Sequence, residues 1–319
     1  MAKIIDLITN KGQVDVTKGV IEEVQKRVPE LEFFDFDTVP GTTFQLLARI
    51  KNPTVSFRAV GEPVVSSRSE YKLKPAELKM LSGRVEIPES EVLSNPLKSR
   101  EEQQTDESTA TLTAAFKHVA DQIWYGKGSD AKGFAGAPDL VDASMVTLAG
   151  AGSEGANTSV WFVGNGAKTA CGIILSDKSK IFEDLEFRKG DILTKDGQGK
   201  ITGVEPGDIG DLTSWLCFSA ANKYKLARLA NVTATTGLTD DMLTDVIEVY
   251  RQMNDGESPA AIFMSYNARK MLRKSRQLSF TDKKGVSVTQ YAPIPTDVDG
   301  IPVIATSSIK DTEASVSQG

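Results

Sequence analysis

Residues that carry chemistry are scarce in this sequence of 319 residues, which has one histidine, His118, and two cysteines, Cys171 and Cys217. One imidazole and two distant thiols do not make a tetrahedral zinc site. A Ser-His-Asp or Cys-His arrangement would have to recruit His118. That residue stands on a helical segment beside its apolar stripe, with no glycine-rich elbow nearby, and reads as a surface or interface histidine. Phosphate loops fail on spacing. Gly164 to Thr169 has Phe162 and Ala167 where glycine is needed, and Gly126 to Ser129 has Asp121. Glu101-Glu102 and Asp240-Asp241 read as solvated and helix-start charges rather than acid–base pairs. No metal or cofactor is expected, and the scarcity itself argues for a structural role over an enzyme.

Other absences narrow the field further. No apolar run approaches the roughly 18 residues of a membrane span. The start, MAKIIDLITNKGQVDV, lacks the apolar core of a signal peptide, so a cytoplasmic translation product is expected. The sequons at Asn157 and Asn231 then have no bearing. The two cysteines lie among apolar residues and read as buried free thiols in a reducing compartment. The net charge of −6 argues against a dedicated DNA reader, which would carry a basic face.

What is present is a globular composition, 40% hydrophobic and 25% charged, with one unusual stretch at residues 43–88. Thr43 to Gly61 and Arg68 to Pro88 read as two long β arms joined by a polar turn, EPVVSS. At about 3.3 Å per residue each arm would reach about 60 Å. A two-stranded ribbon is marginal alone in water, so this one is expected to lie on another molecule, a neighbouring copy of the same chain. Phe44, Leu46, Ala48 and Ile50 alternate with Gln45, Arg49 and Lys51. Pro53 and Pro75 mark an edge or a bulge. Arg49, Lys51, Arg58, Arg68, Lys72, Lys74, Lys79 and Arg84 make the arm basic on an acidic chain. Two readings stay open: solvated charges that protect an edge, or pairing with acidic patches on a neighbour. Removing residues 50–80 is expected to leave a folded, soluble subunit that fails to associate stably with its copies.

Around this arm the pattern predicts a short helix within 13–34, with Val20, Val24 and Val28 at fourfold spacing, closed by Pro29. The aromatic run FFDFD is expected to anchor the base of the hairpin. Asn95-Pro96 reads as the start of a long helix to Tyr125, stopped by Gly126, with Leu112, Phe116, Val119 and Ile123 as its stripe. Ser108 is an alternative cap for a shorter second helix. Residues 125–140 turn the chain, 141–157 read as a loop, and 159–232 mostly as strands. Thr239 is expected to cap a helix whose inner stripe is Met242, Val246, Val249 and Met253, with Leu238 and Leu243 as a staple. Strands at 260–264 and 300–305 with a basic helix capped by Ser265 complete a small α/β unit from about 235.

This order of parts resembles the major capsid proteins of tailed bacteriophages, the Hong Kong 97-type fold. FDFDTVPGTTFQ and VSFRAVGEP look like the entry into that family's extended loop, and WYGKGSDAKGFAGAPDL like the turn after its spine helix. SVWFVGNGAKTACGIIL, IFEDLEF and SWLCFSAANKYKLARLANV resemble the β-rich middle; LTDDMLTDVIEVY, AIFMSYNARKMLRK and VDGIPVIATSSI resemble the axial domain. The resemblance implies an α+β fold with an N-terminal arm (1–36), an extended β-hairpin loop (37–90), a spine helix with a peripheral domain (91–234) and an axial domain (235–319). It implies a virion shell of hexamers and pentamers around double-stranded DNA, assembled in the host bacterial cytoplasm, with the loop lying across an adjacent subunit. The loop residues expected at that contact are Arg49, Lys51, Phe57, Arg58, Arg68, Tyr71, Lys72 and Lys74. With the loop beginning near residue 40, a separate scaffolding protein is expected, besides a portal, a decoration protein and non-specific contact with the packaged DNA. A bacterial nanocompartment (encapsulin-like) shell and a monomeric enzyme relying on His118 are the alternatives.

Overall fold

A computed structural model describes residues 28–317 apart from 52, 64–65, 95–96, 167–168, 180–184, 196–197, 199, 282–286 and 291. In chain order the elements are α1 (Pro29–Phe33), β1 (Phe36–Val39), β2 (Thr43–Lys51), β3 (Glu70–Glu77), β4 (Lys79–Pro88), α2 (Glu89–Ser94), α3 (Arg100–Tyr125), α4 (Ala137–Leu140), β5 (Val146–Leu148), β6 (Thr158–Val163), β7 (Cys171–Ser176), β8 (Phe187–Lys195), β9 (Ile201–Ala220) and β10 (Leu226–Val232). There follow α5 (Asp240–Met253), β11 (Ala261–Ser265), α6 (Tyr266–Ser275), β12 (Leu278–Thr281), β13 (Ser287–Gln290), β14 (Asp297–Val298) and β15 (Ile301–Thr306).

Most of the helix expected within 13–34 lies outside the described residues. Its end differs from the expectation: Pro29 opens α1 instead of closing a helix, since a missing N–H costs nothing in the first turn. The long helix is continuous to Tyr125, but its cap is Ser99. The Ser99 hydroxyl accepts from the Glu102 N–H, and Glu102 bonds back to the Ser99 N–H at 2.8 Å. Asn95 and Pro96 lie outside the described residues. Ser108 starts no second helix; its hydroxyl donates to the Gln104 carbonyl one turn back, at 2.6 Å. Gly126 stops the helix at φ 52°, where a Cβ would fall 2.6 Å from the Gly136 nitrogen.

Leu112, Phe116, Val119 and Ile123 are buried as their spacing predicts, and they share a core with Ile173, Leu175, Leu212, Leu216 and Phe218. Those strand residues belong to a five-stranded sheet ordered β1-β7-β9-β4, with β8 also on β9. Strand β9 is 20 residues long and holds the sheet together, pairing with β4 on one edge and with β7 and β8 on the other. β8 falls in the stretch read mostly as strands. The return arm is also corrected here. Its second half, β4, is not ribbon but a member of this sheet, because Val85 and Ile87 find a core there.

A second sheet, ordered β14-β15-β11-β6-β10-β5, gathers strands from both sides of residue 234. It includes β5, inside the stretch read as a loop. β6 and β11 are buried on both faces, which explains their unbroken apolar runs. One face packs Val160, Phe162, Ile262 and Met264 under α5 and α6. The inner stripe of α5 is Leu243, Val246, Ile247 and Tyr250, which shares Val246 with the expected one but lies about one residue further round the helix, and Met253 is exposed. Thr239 and Ser265 cap α5 and α6 as expected, and Leu238 and Leu243 share one buried cluster.

The opposite face meets the aromatic run before the hairpin. Phe34 stacks on Phe263 at 5.9 Å and meets Phe218 edge-on at 5.3 Å, so one residue joins both sheets. Trp124 of α3 lies 5.1 Å from Phe263 and 5.9 Å from Trp161. The Leu78 N–H donates to the Thr42 carbonyl at 2.9 Å, closing the hairpin base above this cluster.

Candidate assembly surface

The groups that sequence alone marks as reactive are held in unreactive settings. Cys171 and Cys217 are buried free thiols, and burial pushes both up to about 12, so neither carries useful thiolate at neutral pH. His118 is exposed, 3.8 Å from Asp130, beside a cleft of about 60 Å³, well below the few hundred Å³ of a ligand pocket. A larger open cleft, about 480 Å³, is lined by Asn165, Lys225, Tyr250, Asn254 and Glu257. Burial drives the Tyr250 hydroxyl upward, and Lys225 is paired with Glu257. Among the described residues no group of three His, Cys, Asp or Glu is placed to hold a metal.

Two buried carboxylates tie segments together. Glu30 is fully buried and accepts from the Trp124 indole at 2.8 Å and from the Thr306 hydroxyl, so α1, α3 and β15 meet on one side chain. Its second oxygen has no partner among the described residues. Desolvation therefore holds its pKa above the ordinary 4.5. The folded chain keeps this proton more tightly than the unfolded chain. Its contribution is complete below pH 4.5 and is lost as pH rises through the raised folded value. Glu30→Gln removes that slope. Unfolding in denaturant should show the variant gaining on the wild type as pH rises from about 4 to about 7. A pH-independent difference would place a charged carboxylate there.

Glu313 is the second. Its Oε2 pairs with Arg228 at 2.9 Å and accepts from Ser159; its Oε1 accepts from the Tyr125 hydroxyl at 2.9 Å. Arg228 also lies over the Trp161 ring at 5.0 Å. The backbone of Glu313 bridges to Asn157, so residues after β15 are clamped along β6. Neither carboxylate was singled out by sequence, because a Glu looks the same buried or solvated until its neighbours are known.

The hairpin behaves differently from the rest of the chain. Among the described residues β2 and β3 pair only with each other, from Thr43↔Glu77 to Lys51↔Glu70, and join neither large sheet. Both strands of such a ribbon are edges, which accommodates Pro75 opposite Gln45; the bulge lies between Arg49 and Lys51. Beyond them the ribbon is closed by one side chain. The Ser67 hydroxyl accepts from the Thr54 N–H at 2.7 Å and donates to the Thr54 carbonyl at 2.8 Å. The chain reverses at Ala59 to Glu62, not at the expected 62–67. Gly61 there takes φ 97°, and the Glu62 carboxylate accepts from the Ala59 N–H at 3.0 Å.

The expected contact residues divide accordingly. Phe57, Arg58 and Arg68 are exposed on the tip, and Arg58 donates to the Glu62 carbonyl across the turn. Register sets Arg49 opposite Tyr71, Lys51 opposite Glu70, Lys72 opposite Ala48 and Lys74 opposite Leu46. The side chains of Arg49, Lys51, Tyr71, Lys72 and Lys74 lie outside what the structure describes. Val55 and Val60 belong with Phe57: all three stand at 90% exposure or more. Three fully hydrated apolar side chains on one loop mark a surface that awaits cover. Apolar residues on both sides of Gly61, far from any core-forming run, were the available signal.

Comparison with known proteins places this geometry in context. The family model described as Major capsid protein GP7 matches residues 17–317. No curated protein matches the sequence. Among solved structures, that of bacteriophage epsilon15 superposes with a TM-score of 0.60 at 19% identity, covering 88% of each chain. The bacteriophage JBD30 capsid gives 0.52 at 10% identity, over 87% of this chain and 89% of that one. The SrpI encapsulin of Synechococcus elongatus gives 0.42 at 8% identity, over 63% of this chain and 86% of that one.

Proposed function

The chain belongs to the major capsid protein GP7 family, and on that premise we propose that it builds an icosahedral shell of hexamers and pentamers around double-stranded phage DNA. It is a tailed-phage major capsid protein with the α+β fold of the phage capsids. The observation that carries the finer reading is the ribbon, paired among the described residues to nothing but itself and tipped by exposed Val55, Phe57 and Val60. In the assembled shell that tip lies on the adjacent subunit, with Arg49, Lys51, Phe57, Arg58, Arg68, Tyr71, Lys72 and Lys74 at the contact. Each such interface can be modest, because a closed shell repeats it over many copies.

The division of labour we propose is an N-terminal arm over 1–36, the extended loop over 37–90, spine helix and peripheral domain over 91–234, and axial domain over 235–319. β5, β6 and β10 extend the axial sheet inward from the peripheral segment. Shells assemble in the host cytoplasm with a separate scaffolding protein, a portal and a decoration protein, and meet the DNA without sequence preference. Among the described residues no helix is long and apolar enough to cross a membrane. Negative-stain microscopy of the purified full chain, alone and with the scaffolding candidate, should show closed shells of uniform size. A chain that stays monomeric at every concentration in both conditions overturns the reading.

A further inference from the structure

The short helix α1 is held to the body by two kinds of contact. Val28, Leu31 and Phe34 bury apolar surface in the larger core. Glu30 makes the polar tie, one carboxyl oxygen accepting from both the Trp124 indole and the Thr306 hydroxyl. The other oxygen and the Ser308 hydroxyl are buried without a bond partner among the described residues, although the hydroxyl still acts on the carboxyl. Among the described residues no ion pair reaches this carboxyl, and hydrogen bonds offset its burial. The charged groups around it are turned elsewhere. Glu32 of α1 is exposed, and β11 and β15 carry no charged residue. Lys117 and His118 of α3, with Lys310 beyond β15, act on Asp121. Asp311 accepts from Ser265, and Glu313 is taken by Arg228 and Tyr125. The chain after Glu32 is fastened by neutral groups: Asn165 donates to the Phe33 carbonyl at 2.9 Å and accepts from the Asp35 N–H at 3.0 Å.

We propose that Glu30 is a proton-operated latch: neutral, it keeps α1 docked, and ionised, it lets residues 28–32 lift from the body while the chain from Phe33 onward stays in place. The inference is independent of the capsid reading. A fully buried carboxylate without a counter-charge is costly, and the cost ends once the side chain reaches water. α1 is the element able to carry it there. Only Val28 and Leu31 hold the segment before Phe33, whereas Phe33 meets Phe263 at 5.1 Å and Phe34 meets Phe218 at 5.3 Å. The bonds from Asn165 do not titrate, so the opening stops at Phe33. Docked α1 binds the Glu30 proton more tightly than lifted α1 does. Docking is therefore complete below pH 4.5, weakens about tenfold per pH unit from there to the raised docked value, and levels off above it. The two-state element that the proton biases is a single turn of helix, the kind of segment that opens locally without global unfolding.

The test is amide hydrogen exchange on the full chain, wild type beside Glu30→Gln, from about pH 5 to about pH 8. Glutamine keeps an accepting oxygen for Trp124 and Thr306, offers Ser308 a donor, and cannot ionise. Comparing the two chains at each pH cancels the intrinsic pH dependence of exchange. The amides of Leu31 and Phe34, bonded to the Val28 and Glu30 carbonyls, report the latch. Their exchange in the wild type should exceed that in the variant by about tenfold or more at the upper pH, and by little at the lower. The amides of Ile173 and Asp177, which fasten Asp35 and Val39, should exchange alike in both. A ratio at Leu31 and Phe34 that stays flat with pH overturns the latch. So does a rise shared equally by α5 and β6, which is global unfolding. If Glu30→Gln does not fold, the wild type decides alone. Of its three tryptophans, Trp124 donates its indole N–H to Glu30. One indole N–H resonance should then titrate with a midpoint above pH 4.5. Three resonances that show no such titration overturn the proposal.

Discussion

Replacing residues 45–75 with an Asn-Gly turn should leave a soluble, folded subunit whose yield of closed shells falls about tenfold or more. The cut follows the register. Phe44 and Ala76 face each other and both carry the N–H that Pro75 lacks, so a two-residue turn between them rejoins β2 and β3 without disturbing the base. Nothing in either large sheet pairs with the removed segment. A lone ribbon adds little to stability, so the unfolding free energy should move by about 1 kcal/mol or less. The wider cut expected from sequence, 50–80, is the wrong experiment. It removes Leu78, which is buried, and Lys79 and Met80, which pair with Leu216 and Trp215 of β9. Shell yield is read by sedimentation and microscopy, and folding by denaturant titration. Two results would sink the idea: a truncated chain that aggregates because its core is broken, or one that assembles as well as the full chain.

Glu313→Ala should destabilise the subunit by about 3–5 kcal/mol, the cost of stranding a buried cation. Arg228 would lose its carboxylate at 2.9 Å while keeping only the Ser159 hydroxyl at 3.0 Å and the Trp161 ring. Both side chains of the pair are nearly dry, at 13% and 6% exposure, so water cannot substitute. The same change releases the Tyr125 hydroxyl and loosens the segment that bridges to Asn157. Arg228→Met with Glu313→Leu should recover much of the loss, because two apolar residues leave no charge to satisfy. Guanidinium unfolding of the two variants beside the wild type measures both. A loss under about 1 kcal/mol for Glu313→Ala would mean that the pair is screened like a surface ion pair.

Much of the chain's organisation was legible because local rules and burial agreed. The stripe from Leu112 to Ile123, the stop at Gly126, and the caps at Thr239 and Ser265 need only neighbours three or four residues away. The unbroken apolar runs of β6 and β11 announced strands covered on both faces. Where the reading slipped, a competing local signal or a distant partner decided. Asn95-Pro96 and Ser99 are both acceptable helix starts by type, and Ser99 prevails through its reciprocal bonds with Glu102. In α5, Val246 fits two overlapping stripes, and the choice between Met253 and Tyr250 as the inward residue falls to the packing against β6 and β11.

Chain order and local periodicity therefore determined by themselves the sequence of parts, the scarcity of reactive groups, and an outlying ribbon. Tertiary structure alone decided that the ribbon ends at Glu77 and that β4 turns back into the body, since both halves alternate alike and only β9 distinguishes them. It alone joined strands on either side of residue 234 into one sheet, and tied the start of α5 to the end of α6 through Asp240 and Arg276. Pairing between strands and adjacency between helices depend on which surfaces meet across tens to hundreds of residues, and no periodicity within a single segment encodes that.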